Sequence, residues 1–432
     1  MMHCDPDHIG DAFSLLSAQA VRDRAHRLLA LGLRDELPHF RVNLSRLDAT
    51  VDAVLAEMRK NYPMGEIPFH SRWRHFMVNG RDHWAAIAEK VHWFNPAARA
   101  RAEFDLAVVS VLLDAGAGSR WRYRDRISGL SIGRSEGLAM ASLNLFAKGL
   151  FSARLNDPLR VDAEALLRLT VADLEDGFQV TSDNPLVGIK GRTELLRRLG
   201  GLLASRPEIF AKSDTARPGG LFDHLVLLSQ DGTIAGTKIL AELLRQFGPI
   251  WPSPITLGGV PLGDCWCHPA LSTNDATSEL MPLHKLSQWM TYSLIEPLQR
   301  ACFKVDHVDG LTGLAEYRNG GLLIDCGVLS LRDAFDLKLE HPVSSTLVVE
   351  WRALTVALLD RVADLIRQQL DRDVTSLPLI KILEGGTWSA GRAIAFDRRP
   401  DGSPPLRVTG GLTSVPRQRM PRSDLSRAVA PD

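Results

Sequence analysis

Between Ser345 and Leu370 the side chains Leu347, Trp351, Leu354, Leu358, Val362 and Ile366 recur every three or four residues, opposite Arg352, Asp360, Arg361 and Arg367. An apolar stripe of that period, sustained over so many turns, requires an amphipathic helix with something to lie against. The same reasoning predicts a helix over 45–60, carried by Leu47, Val51, Val54, Leu55 and Met58. Further helices are expected over 14–29, 99–113, 134–151, 163–169, 192–204, 219–228, 233–247 and 278–304. In the last of these Pro297 removes an amide donor and is expected to kink or split the helix near 293–296. β-like runs are confined to 185–190 and 405–409, and no βαβ succession can be traced. The expectation is a mostly α protein with few short strands.

A chain of 432 residues, 45% hydrophobic and 24% charged, can bury a large core. Its 51 Lys and Arg balance 51 Asp and Glu, which argues against nucleic acid or an anionic membrane as partner and leaves room for a small basic site. Five cysteines, at 4, 265, 267, 302 and 326, do not form the dense even pattern of a disulfide-stapled secreted protein. The N-terminal residues lack the signature of a secretory signal, and the apolar run 106–113 falls far short of the ~20 residues that span a bilayer. A cytoplasmic location is expected. Pro and Gly concentrate over 248–269, the most plausible subdomain division, and from Arg398 onward the chain turns polar, with 411–432 read as a tail.

Several segments combine residue types suited to chemistry. Residues 67–76 pack His70, Arg72, Trp73, Arg74, His75 and Phe76 together; guanidinium forks suit phosphate or carboxylate, and aromatic faces can stack a planar group. The same stretch also reads as a structural loop with core aromatics and paired arginines. Asp264-Cys265-Trp266-Cys267-His268 invites a zinc reading, but no second ligand pair follows at a standard spacing, so no metal is expected and Asp264 and Trp266 stand as substrate contacts. Asp306, Asp309 and Glu316 fall in a glycine-rich turn region with Tyr317 and Arg318. They could present a carboxylate to a cleft or simply cap helices. Glu384-Gly-Gly-Thr-Trp388-Ser-Ala-Gly-Arg392 reads as a helix ending followed by a new helix start, where amides and Arg392 could hold a phosphate. Asp223 and His224 are further acid/base candidates. Dinucleotide, P-loop, zinc-helix and kinase patterns are absent.

Taken together, 67–76, Leu-Leu-Asp-Ala-Gly-Ala-Gly-Ser-Arg-Trp at 112–121, Arg-Ser-Glu-Gly-Leu at 134–138, 286–297, 311–325 and 384–392 resemble the fungal and bacterial uracil-catabolism protein four family. The likeness runs from about residue 15 to 409, which implies one family-wide enzyme domain over 1–410. Glu316-Tyr317-Arg318, following Leu311-Thr-Gly-Leu, is more faintly similar to the Asp-Tyr-Arg segment of queuosine-phosphate N-glycosidases, helical proteins akin to helix-hairpin-helix DNA glycosylases.

These resemblances imply uracil degradation after conversion to the nucleotide, and a cofactor-independent N-glycosidase that releases urea and ribose 5-phosphate from a phosphorylated ribosylurea. The expected partner is that small phosphorylated ribosyl metabolite. Glu316, with Asp309 or Asp306 as alternatives, would be the catalytic carboxylate. Arg72, Arg74 and Arg318 would bind phosphate and meet around one pocket, with His70, Asp264, Trp266, Trp289, Tyr317 and Trp388 as further substrate contacts. Two other readings remain: a metal-dependent ureido or amide hydrolase using Asp223, His224 or the Cys265–His268 segment, and a non-catalytic metabolite-binding partner of the pathway enzymes.

Overall fold

Helices form where the apolar periodicity puts them, and their ends are set by local caps. Ser345 accepts the amide of Val348 and starts Thr346–Leu370; Ser17 accepts the amide of Ala20 and starts Ala18–Leu33. A computed structural model describes residues 8–118, 120–126, 128–212, 215–251 and 255–410. Cys4 and the tail over 411–432 lie outside the described residues.

Thr346–Leu370 packs lengthwise on Ala18–Leu33, and Lys285–Arg300 on Pro96–Leu112. Tyr317–Asp325 lies against Trp388–Arg398, and Leu47–Asn61 against 383–387. Buried apolar side chains form one continuous cluster from Ala12 to Leu406, which includes Ile250, Trp251 and Leu262 of the Pro/Gly segment. The protein is mostly α; strands occur in the described residues only as two-stranded pairs, such as Cys265–Cys267 with Leu280–Pro282. No helix among the described residues is long and apolar enough to cross a membrane.

Several sequence expectations need correction. Residues 185–190 form no strand: Gly188 takes a left-handed turn, and the Arg192 guanidinium collects the carbonyls of Leu113, Ala115 and Val187 instead. The stretch 278–304 is not one helix. Leu280–Pro282 is a strand, and His284, at φ 47°, turns the chain into Lys285–Arg300. Pro297 does not split that helix, because the Ser293 carbonyl it leaves without a backbone donor accepts the indole N–H of Trp73 at 2.7 Å. The β-like run at 405–409 does form a strand: Arg407–Thr409 pairs with Glu340–Pro342, and Arg399 grips Asp325 just before it.

Candidate functional site

The basic segment at 72–76 forms a 3-10 turn docked on the Lys285–Arg300 helix. Ser71 Oγ and Arg74 Nη2 donate to the two oxygens of Glu296 at 2.6 and 2.7 Å, and the amide of Arg72 donates to Ser293 Oγ at 2.9 Å. This docking drives the Arg72 side chain fully inside. There Nε reaches Ser110 Oγ at 2.6 Å, and Nη1 meets Asp114 at 3.1 Å and His75 Nδ1 at 3.3 Å. Among the described residues its Nη2 has no hydrogen-bond partner, and neither has the buried indole N–H of Trp289, whose ring lies 5.5 Å from the guanidinium. Buried polar groups are nearly always paired, so two unpaired donors side by side call for an explanation.

His75 sits 5.6 Å from Trp289 and 6.3 Å from Trp388, ring to ring. Burial, and then the neighbouring Arg72 charge, push its imidazole down to about 4, so it is neutral at physiological pH. Around the buried Arg72 and Trp289, His75, Glu136, Lys285, Trp388 and Arg392 are only partly buried. Arg392 lies over the Trp388 ring and donates to Glu136 at 2.8 Å. Burial alone would raise the Glu136 carboxyl, but His75 and Arg392 bring it below its ordinary value.

A second wall comes from residues 383–387, which form a π-helical turn joining Leu379–Ile382 to Trp388–Arg398. The sequence reading of a helix end and a fresh N-terminus here is therefore wrong. The glycines serve close approach instead: a Cβ on Gly386 would come within 2.5 Å of the Val54 carbonyl oxygen. The extra residue of a π turn re-aims side chains, and such turns concentrate at functional sites. This one directs Glu384 inward, where it accepts Tyr62 Oη at 2.9 Å and pairs with His70 Nδ1 at 2.8 Å. Thr387 Oγ1, buried on the same turn, is unpaired.

Beyond Arg392 lie more guanidiniums. Gly391 has no side chain where Trp388–Arg398 crosses the Arg318 carbonyl, and this close approach brings Arg318 near Arg392. Burial first, then the nearby Arg134, lower the basicity of Arg318. Arg134 and Arg318 donate to successive backbone carbonyls, those of Asp401 and Gly402.

The sequence candidates divide between different surroundings. His70, Arg72, Trp289 and Trp388 come together. Arg74 lies on the same turn but is committed to Glu296. Arg318 lies with Arg134 and Arg392, so the three arginines expected around one pocket are spread over three settings. Glu316 caps Tyr317–Asp325, its two oxygens accepting the amides of Arg318 and Asn319. Asp306 ends a strand paired with Thr233–Ala235, and Asp309 is exposed in a turn bound to Arg22. Among the described residues, no hydrogen bond or ion pair links either to the side chains around Trp289. Asp264 is buried between Arg352, Trp266 and the amide of Lys285, with room for about one water beside it, in a void of 10 Å³. Tyr317 stacks on Trp351 next to that group.

Arg134, Glu136, His75, Lys285 and Glu384 were not singled out as site residues. The dense runs of unusual residues at 67–76, 134–138 and 384–392 pointed toward all but Lys285, which no sequence signal marked. His268 is held by Glu350, His224 by Glu242 and Asp223 by Arg101, and no group of three His, Cys, Asp or Glu arranged to hold a metal occurs among the described residues.

Fold and site define a mostly helical protein whose helices converge on an aromatic cluster bordered by carboxylates and arginines. Residues 14–413 match the family described as "Protein of unknown function (DUF1688)", and the chain belongs to that family. It is 40% identical over 412 residues to Protein urg3 of Schizosaccharomyces pombe, covering 92% of this chain and 97% of the relative. It is 37% identical over 404 residues to Uracil catabolism protein 4 of Lachancea kluyveri, covering 86% and 90%.

Proposed function

We propose that this protein serves uracil catabolism as a hydrolase that cleaves the N-glycosidic bond of a phosphorylated ribosylurea, giving urea and ribose 5-phosphate. The pathway comes from the name of the Lachancea kluyveri relative. The observation that carries the chemistry is the pair of unpaired donors, Arg72 Nη2 and Trp289 Nε1, beside a neutral His75 and the partly exposed carboxylate of Glu136.

Urea is a poor leaving group, because negative charge gathers on its oxygen and nitrogen as the bond to the anomeric carbon breaks. Donors already fixed in the protein and aimed at that charge stabilise the transition state without reorganising. Arg72 and Trp289 would receive the ureido oxygen. Glu136 uses one oxygen for Arg392, which leaves the other to face positive charge on the sugar or to orient water. In the balanced reaction the C1–N bond breaks, a water oxygen bonds to C1, and a water proton ends on the ureido nitrogen. Glu316, whose two oxygens already accept amides, would support this by holding the helix that carries Arg318.

Incubation of purified protein with N-ribosylurea 5-phosphate tests the reading. Urea and ribose 5-phosphate should appear in equal amounts. Thermal stabilisation by the compound without any urea would overturn hydrolysis and leave a metabolite-binding partner.

A further inference from the structure

We propose that Arg134 and Arg318 form the subsite for a phosphate monoester dianion, set beyond Arg392 from the Trp289 cluster. The inference rests on the ribosyl phosphate reading above and names the part of the protein that recognises the phosphate.

Four arginines gather here, and they differ in how their charge is met. Arg392 is paired with Glu136 at 2.8 Å, and Arg399 grips both oxygens of Asp325. Arg134 and Arg318 have no carboxylate within ion-pair distance among the described residues; their hydrogen bonds go to the adjacent carbonyls of Asp401 and Gly402, and Arg134 also lies over the Phe396 ring at 5.0 Å. A carbonyl offers a partial charge where a guanidinium beside other guanidiniums calls for a full one. The nearby acids already have partners: Glu136 accepts Arg392, Glu316 accepts two amides, and the Asp401 carboxylate accepts the amide of Ser403.

Arg134 carries two further signs of a ligand contact. Its Nη1 is buried without a hydrogen-bond partner. Its backbone stands at φ 54°, a left-handed conformation that few non-glycine residues adopt and that persists where the surroundings enforce it. Burial and then the charge of Arg392 lower its basicity, so an anion placed between Arg134 and Arg318 would relieve repulsion as well as fill empty donors. Two guanidinium forks suit the several oxygens of a phosphate monoester better than a single carboxylate. Arg392, lying over Trp388 and bonded to Glu136, joins this subsite to the proposed reaction centre.

Calorimetric titration of the full-length protein with ribose 5-phosphate, inorganic phosphate and ribose tests the proposal. Ribose 5-phosphate should bind far more tightly than ribose. Its Kd should rise about 10-fold or more in Arg134→Gln and in Arg318→Gln, in keeping with one lost charge-assisted contact, and stay near the wild-type value in Arg34→Gln, at an exposed arginine paired with Glu36. Where a glutamine variant fails to fold, the lysine variant decides. Arg134→Lys and Arg318→Lys keep the charge but lose the fork, and Kd should rise about threefold or more. Unchanged affinity in the folded variants, or ribose binding as tightly as ribose 5-phosphate, would overturn the subsite. Arginine-dependent binding of ribose 5-phosphate without urea release would leave the subsite standing and remove only the hydrolase reading.

Discussion

Two buried polar groups, around Asp264 and around Arg72, lie against the same helix and are built on opposite principles. The Asp264 carboxylate accepts both Nη atoms of Arg352 at 2.9 and 2.7 Å, the Trp266 indole at 2.7 Å and the Lys285 amide at 3.0 Å. Burial would raise this carboxyl, yet these partners hold it far below the usual range. Every lone pair is used. Around Arg72 the partners run out: one Nη of the arginine and the Trp289 indole are enclosed with nothing to bond. A saturated buried cluster fixes helices in place, whereas an unsaturated one costs free energy that a ligand can recover. Asp264 thus reads as scaffold and the Trp289 cluster as site.

Substitutions at the two clusters should separate stability from turnover. The largest effect is expected for Asp264→Leu, which strands the buried Arg352 and should cost about 3–5 kcal/mol in denaturant unfolding; a loss below ~1 kcal/mol would end the contrast. Glu136→Gln should lower urea release by about 100-fold or more while leaving unfolding nearly unchanged, because the residue lies partly exposed at the site.

A smaller but sharper test compares two indoles. Trp73→Phe removes the N–H that satisfies the Ser293 carbonyl and should cost about 1–3 kcal/mol of stability. Trp289→Phe removes an N–H that bonds nothing, so its stability cost should fall well below that of Trp73→Phe, while turnover drops. Equal stability losses would mean that the Trp289 N–H is not free.

A further test uses pH. The His75 imidazole takes up a proton near 6.5 when unfolded but only near 4 when folded. Between these values the unfolded chain binds more protons, so stability falls as pH falls across that window. His284, also lowered by burial, adds to the same slope, so His75→Asn should flatten it only in part.

Much of the helical framework was legible because apolar period is a local property: Leu347 to Ile366 outline Thr346–Leu370 almost to its ends. The site was legible as segments but not as partners. Arg72 and Arg74 look equivalent in sequence, yet a two-residue step along a tight turn sends one into the core and the other to Glu296. Glu316 sits in an acid-rich turn of the kind that can present a carboxylate, and it is the next two backbone amides that claim its oxygens. Glu136 shows no such local signal. Its role follows from His75 and Arg392, which lie 61 and 256 residues away in the chain. The glycines at 385 and 386 imitate a helix ending, and only the neighbouring helix at Val54 reveals why they are small.

The most direct test of the account measures urea release from N-ribosylurea 5-phosphate and the unfolding midpoint together, for the wild type, Glu136→Gln and Asp264→Leu. The account predicts turnover by the wild type, near-complete loss in Glu136→Gln at an unchanged midpoint, and a large fall in midpoint for Asp264→Leu. Wild-type turnover that survives in Glu136→Gln would contradict it, as would a wild type that releases no urea.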